Sequence, residues 1–151
     1  MKPDLTPAQV LPHTAPMILI DELVDVDGQD IVAHVHLHPE SPFCDGTSVG
    51  AWVGVEYMAQ TVGAWAGYRN HVDGVGVKIG FLLGARRYEC AVPRFEVGDT
   101  LRVSAHCEIQ DEQGLSSFRC QISRQGETLA TANITVFQPQ DAAAFLGGEN
   151  N

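Results

Sequence analysis

Residues 49–68 read VGAWVGVEYMAQTVGAWAGY, and Glu56 is the only charged residue among them. In a helix, this stretch carries apolar residues on almost every side, which is typical of a helix buried in a protein core or a membrane. A carboxylate without a partner is costly in such surroundings unless it becomes protonated. We therefore expect Glu56 to have either a partner or a chemical role.

The glycines of this stretch are spaced in pairs. Gly50 and Gly54 are four residues apart, as are Gly63 and Gly67, so each pair lies on one helix face. A face without side chains lets another backbone approach closely, and we expect that neighbour to be a sheet wrapped around the helix. A membrane span is the weaker alternative, because Glu56 and the glycines lower the apolar content of the segment.

The remainder of the chain shows the two-residue alternation of β-strands. Residues 17–27 and 30–38 flank a turn at Gly28 and predict a hairpin. Thr47 and Ser48 are acceptable N-cap residues, so we predict that the helix begins at Val49. Further strands are predicted at 81–91, 100–110, 115–124 and 128–137, the last three as an antiparallel meander.

These elements predict a single α+β domain in which one long central helix is wrapped by a curved antiparallel sheet. The length of 151 residues suits one domain with a core of its own. Because the helix is apolar on all sides, one sheet does not cover it completely. A second copy of the chain is the simplest additional cover.

Charge and composition exclude several kinds of partner. Nine basic and nineteen acidic residues give a net charge of −10, which argues against nucleic acid or an anionic membrane as partner. Six of the nine basic residues lie between positions 69 and 102. They could meet a phosphate or an acidic partner, although solubilising surface charge is the interpretation we favour. The N-terminus lacks the pattern of a secretory signal, so we expect a cytoplasmic protein.

Neither the cysteines nor the histidines predict a metal or another cofactor. The four cysteines show no CxxC spacing and are expected to be reduced thiols. His34, His36 and His38 share one face of a predicted strand at a spacing that could hold zinc or copper. The sequence shows no supporting second-shell partners, so we interpret them as exposed strand histidines without an ion.

Four segments together resemble the hotdog-fold 3-hydroxyacyl-ACP dehydratases of fatty acid synthesis. They are LPHTAPMILIDELVDVDG at 11–28, VEYMAQTVG at 55–63, GFLLGARRYE at 80–89 and VGDTLRV at 97–103. The resemblance extends from about Leu11 to Phe137. It implies one hotdog domain with a core of about 11–138 and a tail at 139–151, in a dimer with acyl-thioester tunnels between the subunits.

The resemblance also implies roles for particular residues. Glu56 would be the helix acid of the active site, which protonates the departing 3-hydroxyl group, and Gln60, one turn later, would orient its carboxyl group. Burial would keep that carboxyl protonated. We expect the substrate to be bound by Phe43, Gly46, Gly50 and Phe81. For Gly46 and Gly50, which could direct N–H groups at a thioester carbonyl, a turn or packing role is equally good.

One residue departs from the pattern of these dehydratases. Their loop before the helix reads His-Phe-Pro-Gly, with the proton-abstracting histidine fourteen residues before the acid, whereas this chain has Pro42 there. His38 and Cys44 are nearby, but neither has the right spacing. Retention of the acid and loss of the histidine resembles the partner subunit of the dehydratase heterodimers of aryl polyene pathways, where a second hotdog protein supplies the histidine.

Three functions remain open from the sequence. The chain could be a dehydratase, or one subunit of a dehydratase, acting on 3-hydroxyacyl thioesters of a carrier protein or coenzyme A. It could be a thioesterase in which Glu56 activates water or attacks the thioester. It could also be a non-catalytic acyl-binding subunit. In each case we expect a homodimer or a heterodimer with another hotdog protein.

Overall fold

The computed structural model describes residues 2–13, 17–74 and 81–138, except for the side chain of Phe81. The predicted tail at 139–151 lies outside these ranges. The helices are α1 (Pro7–Val10) and α2 (Gly54–Val72), and a 3-10 turn (Ala51–Val53) precedes α2. The strands are β1 (Glu22–Asp27), β2 (Asp30–His36), β3 (Ser48–Gly50), β4 (Phe81–Cys90), β5 (Arg94–Glu96), β6 (Thr100–Gln110), β7 (Leu115–Arg124) and β8 (Glu127–Phe137).

Six strands form one antiparallel sheet in the order β1-β2-β6-β7-β8-β4, and β3 pairs with β5 in a separate two-stranded sheet. The hairpin at Gly28 and the meander of β6, β7 and β8 are both confirmed. Helix α2 lies against the inner face of the large sheet and contacts five of its strands. The predicted α+β class and hotdog arrangement are therefore confirmed.

The core forms where α2 meets the sheet. Trp65 is fully buried, its ring lies edge-on to Phe118 at 5.2 Å, and its indole N–H donates to the Gly28 carbonyl at 3.0 Å. Burial of such a large side chain contributes strongly to folding. The hydrogen bond satisfies its polar atom, and the same contact ties the β1–β2 turn to the helix.

The prediction that the helix begins at Val49 is wrong. Ser48–Gly50 form β3, and α2 begins only at Gly54. Ser48 does not cap the helix, because its hydroxyl accepts a hydrogen bond from Arg94 Nε of β5. Pairing between distant segments therefore outweighs the local capping preference. Gly50 consequently does not share a helix face with Gly54.

The helix glycines do permit close approach, but to two different neighbours. A Cβ atom at Gly54 would lie 2.2 Å from Tyr88 Oη, on the sheet side, as expected. A Cβ atom at Gly67 would lie 1.8 Å from the Val10 carbonyl oxygen, and one at Gly63 would lie 3.2 Å from Leu11 Cδ2. For these two glycines the neighbour is α1 and the residue after it, rather than the sheet.

Gln60 holds the next part of the N-terminal segment on the helix. Its side chain is almost fully buried, at 2% exposure. The Leu19 N–H donates to Gln60 Oε1 at 2.7 Å, and Gln60 Nε2 donates to the Met17 carbonyl at 2.7 Å. Both ends of the amide are thus used to fix the chain that leads into β1.

Helix α2 is not buried on every side within a single chain, as expected of an apolar helix that one sheet does not cover completely. One stripe at three- and four-residue spacing remains partly or fully accessible: Glu56, Ala59, Gly63, Ala66 and Asn70. Apart from its two ends, this stripe consists of very small residues. Across residues 2–13, 17–74 and 81–138, no helix combines the length and apolar character needed to cross a membrane.

We expect Gly67→Ala to lower the free energy of unfolding by about 2–3 kcal/mol, because the added methyl group meets backbone that has little freedom to move. Gly63→Ala is the matched control. Its methyl group meets only the flexible end of Leu11, and helix propensity offsets the contact by about 1 kcal/mol. Urea unfolding measures both variants, and equal stability of the two would contradict the close α1–α2 contact.

We expect Gln60→Leu to lower the free energy of unfolding by about 1–3 kcal/mol, since one buried donor, the Leu19 N–H, and one part-buried acceptor, the Met17 carbonyl, lose their partner. Gln121→Leu removes an amide of the same kind from an exposed position bonded to Thr128, and should change stability by less than about 0.5 kcal/mol. Faster hydrogen exchange of the Leu19 amide in Gln60→Leu alone would confirm the local cause. Unchanged exchange there would contradict it.

Candidate active site

A cavity of about 270 Å³ lies beside the uncovered stripe of α2. Its walls come from residues 11–13, from α2, from β4 and from the end of β8. Most of the lining is apolar, with Ala59, Val62 and Leu82 among it, and Glu56 and His13 contribute ionisable groups. Pockets for whole small molecules span about 300–1,000 Å³, so within one chain this cavity has room for only part of a large ligand.

Glu56 lies in the first turn of α2, at the wall of this cavity. Its side chain is exposed in the single chain, because the stripe on which it lies is not covered, and burial at a seam with a second chain remains a prediction. Among the described residues, none forms a hydrogen bond or ion pair with its carboxyl group. The sequence left open whether Glu56 has a partner or a chemical role. No partner within the described part of the chain is found.

Gln60 lines the same cavity, but its amide is already bonded to the backbone of Leu19 and Met17. The expected hydrogen bond from Gln60 to Glu56 is therefore not formed in the single chain. Gln60 instead positions the backbone that borders the cavity.

His13 lines the cavity and was not among the site residues predicted from the sequence. It is exposed and lines the cavity together with Glu56. Its proximity to α2 depends on the close approach of Val10 to Gly67, which no local pattern reveals. The available signal was its place in the Leu-Pro-His segment at 11–13. His38 and Cys44, the two replacements considered from the sequence, do not line this cavity.

The loop before β3, in which Pro42 replaces the expected histidine, is held by Asp45. Asp45 Oδ1 accepts hydrogen bonds from the backbone N–H groups of Thr47 at 3.0 Å and Ser48 at 2.9 Å, and Arg94 Nη2 lies 3.2 Å from Oδ2. The hydrogen bonds lower the pKa of Asp45 to about 2, so its carboxylate is charged at neutral pH. This loop has a defined shape without a catalytic histidine.

Three of the four residues predicted to bind substrate do not line the cavity of the single chain. Phe43 is 48% exposed and packs edge-on to Trp52, which is 66% exposed, with ring centroids 5.5 Å apart. Gly46 has a φ of +104° and Gly50 belongs to β3, and neither lines the cavity. The Phe81 side chain lies outside the described residues. A binding role for these four residues remains a prediction about a site completed by another chain.

The basic residues between positions 69 and 102 do not form one cluster. Arg69 lies over the Trp65 ring at 4.7 Å, and Arg94 pairs with Asp45. Arg86 and Arg87 are exposed on β4, whereas Arg102 is exposed on β6, which β7 and β8 separate from β4. Lys78 lies outside the described residues. Among the described residues of this range, Arg86 and Arg87 are adjacent and exposed, and this β4 pair remains a possible contact for a phosphate or an acidic surface.

None of the four cysteines lines the cavity. All four are free, and Cys107 and Cys120 are buried core residues, as predicted. Burial raises the pKa of the Cys120 thiol to about 12 and also raises that of Cys107, which keeps both protonated. Cys44 Sγ accepts the Gly46 N–H at 3.3 Å in the loop.

The chain is similar to known dehydratases in both sequence and structure. Residues 5–147 match the model of the ApeP-like family, described as "ApeP dehydratase". A 3-hydroxyacyl-[acyl-carrier-protein] dehydratase FabZ from Polynucleobacter necessarius subsp. necessarius (strain STIR1) is 27% identical over 133 residues, which cover 84% of this chain and 86% of that protein.

Two solved structures share this fold, one at higher and one at lower sequence identity. A chain of "The Dehydratase Heterocomplex ApeI:P from Xenorhabdus doucetiae" is 31% identical with a TM-score of 0.87, and the match covers 95% of this chain and 97% of that chain. A hypothetical thioesterase with coenzyme A from Streptococcus pneumoniae TIGR4 is 16% identical with a TM-score of 0.58, covering 78% and 84%, so it shares the fold alone. The chain belongs to the ApeP-like family of dehydratases.

Proposed function

We propose that this protein dehydrates 3-hydroxyacyl thioesters carried on an acyl carrier protein, with Glu56 as the general acid of a site shared with a second hotdog chain. The observation that carries the proposal is the position of Glu56. It is a carboxyl group without a described partner, at the wall of a mostly apolar cavity, on a stripe of α2 that the described part of the chain leaves uncovered.

The chemistry requires two proton transfers. A base removes a proton from the carbon next to the thioester carbonyl, and Glu56 gives a proton to the 3-hydroxyl group, which leaves as water while the carbon–carbon double bond forms. The product is an enoyl thioester. The thioester bond itself is not broken, so this reaction needs no nucleophile and is consistent with protonated, buried cysteines.

A second chain is needed for two physical reasons. The cavity of about 270 Å³ is too small for an acyl chain together with its carrier arm, and a wall supplied by another subunit would enlarge it. The same wall would exclude water from Glu56, and a dry site favours the neutral carboxyl group that acts as an acid. The related ApeI:P structure is itself a heterocomplex of dehydratases, which supports a different hotdog chain as the partner.

The base comes from that partner in this proposal, because the loop of this chain has Pro42 where a histidine is expected. His13 is the other source, since it lines the cavity of the same chain. If the partner supplies the base, the His13 imidazole could donate a hydrogen bond to the substrate from the edge of the site. The carrier-protein form of the substrate is supported by the name of the FabZ relative.

We expect Glu56→Gln to lower kcat by about 100-fold or more in the assembled protein, since that is the usual contribution of a positioned general acid. Glu127→Gln, at a 69% exposed position near the β7–β8 turn, is the matched control and should retain full activity. The measurement is formation of enoyl thioester from a 3-hydroxyacyl carrier protein. Full turnover by Glu56→Gln would contradict the proposal, and Glu56-dependent release of free acid would identify a thioesterase instead.

We expect the chain alone to show little dehydration and a histidine-bearing hotdog partner to raise the rate at least 100-fold. In that complex, His13→Gln should lower the rate by less than about tenfold, the effect of one lost hydrogen bond. A loss of about 100-fold or more would make His13 the base and the site self-contained. Efficient turnover by the isolated chain would likewise disprove a shared site.

A further inference from the structure

The β1–β2 hairpin brings a carboxylate and two imidazoles together at the edge of the large sheet. Glu22 of β1 is the direct cross-strand partner of His34 in β2. His36 lies two residues further along, on the same face of the strand. His38, which the sequence placed in the same row, is not part of this group. It lies beyond β2, and its ring accepts the Glu40 N–H at 3.3 Å.

The three side chains are close enough to share one ion. Glu22 Oε1 lies 3.6 Å from His34 Nδ1 and 3.5 Å from His36 Nε2, and all three ligand atoms lie within 4.8 Å of one another. Zinc binds such atoms at about 2.0–2.2 Å in tetrahedral geometry, which separates two ligands by about 3.3–3.6 Å. Two of the three separations already agree, and rotation of one imidazole ring would adjust the third.

Neighbouring groups orient these ligands. His36 Nδ1 lies 3.1 Å from Thr100 Oγ1 on β6. In the tautomer that carries its proton on Nδ1, this nitrogen donates to the hydroxyl and Nε2 is free to bind a metal, an arrangement common around metal-binding histidines. Lys2 Nζ contacts the other carboxylate oxygen, Glu22 Oε2, at 3.2 Å. That contact leaves Oε1 directed towards the two rings. This supporting shell was not visible in the sequence.

Access from solvent is also suitable. The side chains of His34, Glu22 and His36 are 27%, 38% and 50% exposed, so an ion could enter without rearrangement of the core. Three protein ligands would leave the fourth position to water. None of the three residues lines the Glu56 cavity, so the group is separate from the candidate active site.

We propose that Glu22, His34 and His36 form a binding site for one divalent transition-metal ion of the zinc type. The donor set of two imidazoles and one carboxylate suits Zn²⁺, Co²⁺, Ni²⁺ and Cu²⁺ better than Mg²⁺ or Ca²⁺. Bound there, the ion joins β1, the edge strand of the sheet, to β2. Because it binds only the folded hairpin, it stabilises the protein by mass action and does not take part in dehydration.

The test is a titration of the untagged full-length chain with Zn²⁺ by calorimetry, together with the visible absorption spectrum of the Co²⁺ complex. We expect one ion per chain, a tetrahedral-type Co²⁺ spectrum, and a thermal unfolding midpoint that rises with Zn²⁺ concentration. His34→Gln, His36→Gln and Glu22→Gln should each weaken binding at least tenfold and abolish the rise in the midpoint.

His38→Gln is the matched control, because it removes a nearby exposed histidine outside the group and should bind Zn²⁺ as the parent does. Circular dichroism and metal-free unfolding would establish that the variants fold. Absence of saturable binding at one ion per chain would overturn the proposal and leave a Glu–His ion-pair cluster only. Equal affinity in the three ligand variants, or an equal loss in His38→Gln, would overturn it as well.

Discussion

The close approach of helix α2 to its neighbours depends on two positions that carry no side chain. Gly54 lies against Tyr88 and Ile122 of the sheet, and Gly67 lies against the Val10 backbone. With the helix fixed at both points, its rotation is determined, and so is the stripe that remains uncovered. Glu56, Ala59 and Gly63 lie on that stripe, so the position of the candidate acid follows from packing at some distance from it.

The uncovered stripe explains how one acidic residue can occur in an otherwise apolar helix. Within one chain the carboxyl group of Glu56 is hydrated and needs no partner. A second chain placed over the stripe would exclude water from it, enlarge the cavity, and add side chains that this chain lacks. Loss of the histidine at position 42 is tolerable in such an assembly, since only one of the two chains has to supply the base.

The sequence predicted the elements that depend on local periodicity and missed those that depend on distant contacts. Two-residue alternation correctly indicated the hairpin and the meander. The helix start was misplaced because β3 pairs with β5 and Arg94 binds Ser48 across 46 residues. Helix α1 was missed because its four residues carry no periodic pattern. His13 and Glu22 reach their sites only through tertiary contacts, whereas Glu56 was identified through a family resemblance.

The most direct test of the shared site is carbodiimide labelling of the Glu56 carboxyl group in the catalytically active assembly, read by mass spectrometry. Glu127, which is 69% exposed, is the internal reference. We predict that Glu56 is labelled at least tenfold more slowly than Glu127 in the assembly and at a similar rate in the unfolded chain. Equal labelling of the two residues in the active assembly would contradict a site closed over Glu56 by a second chain.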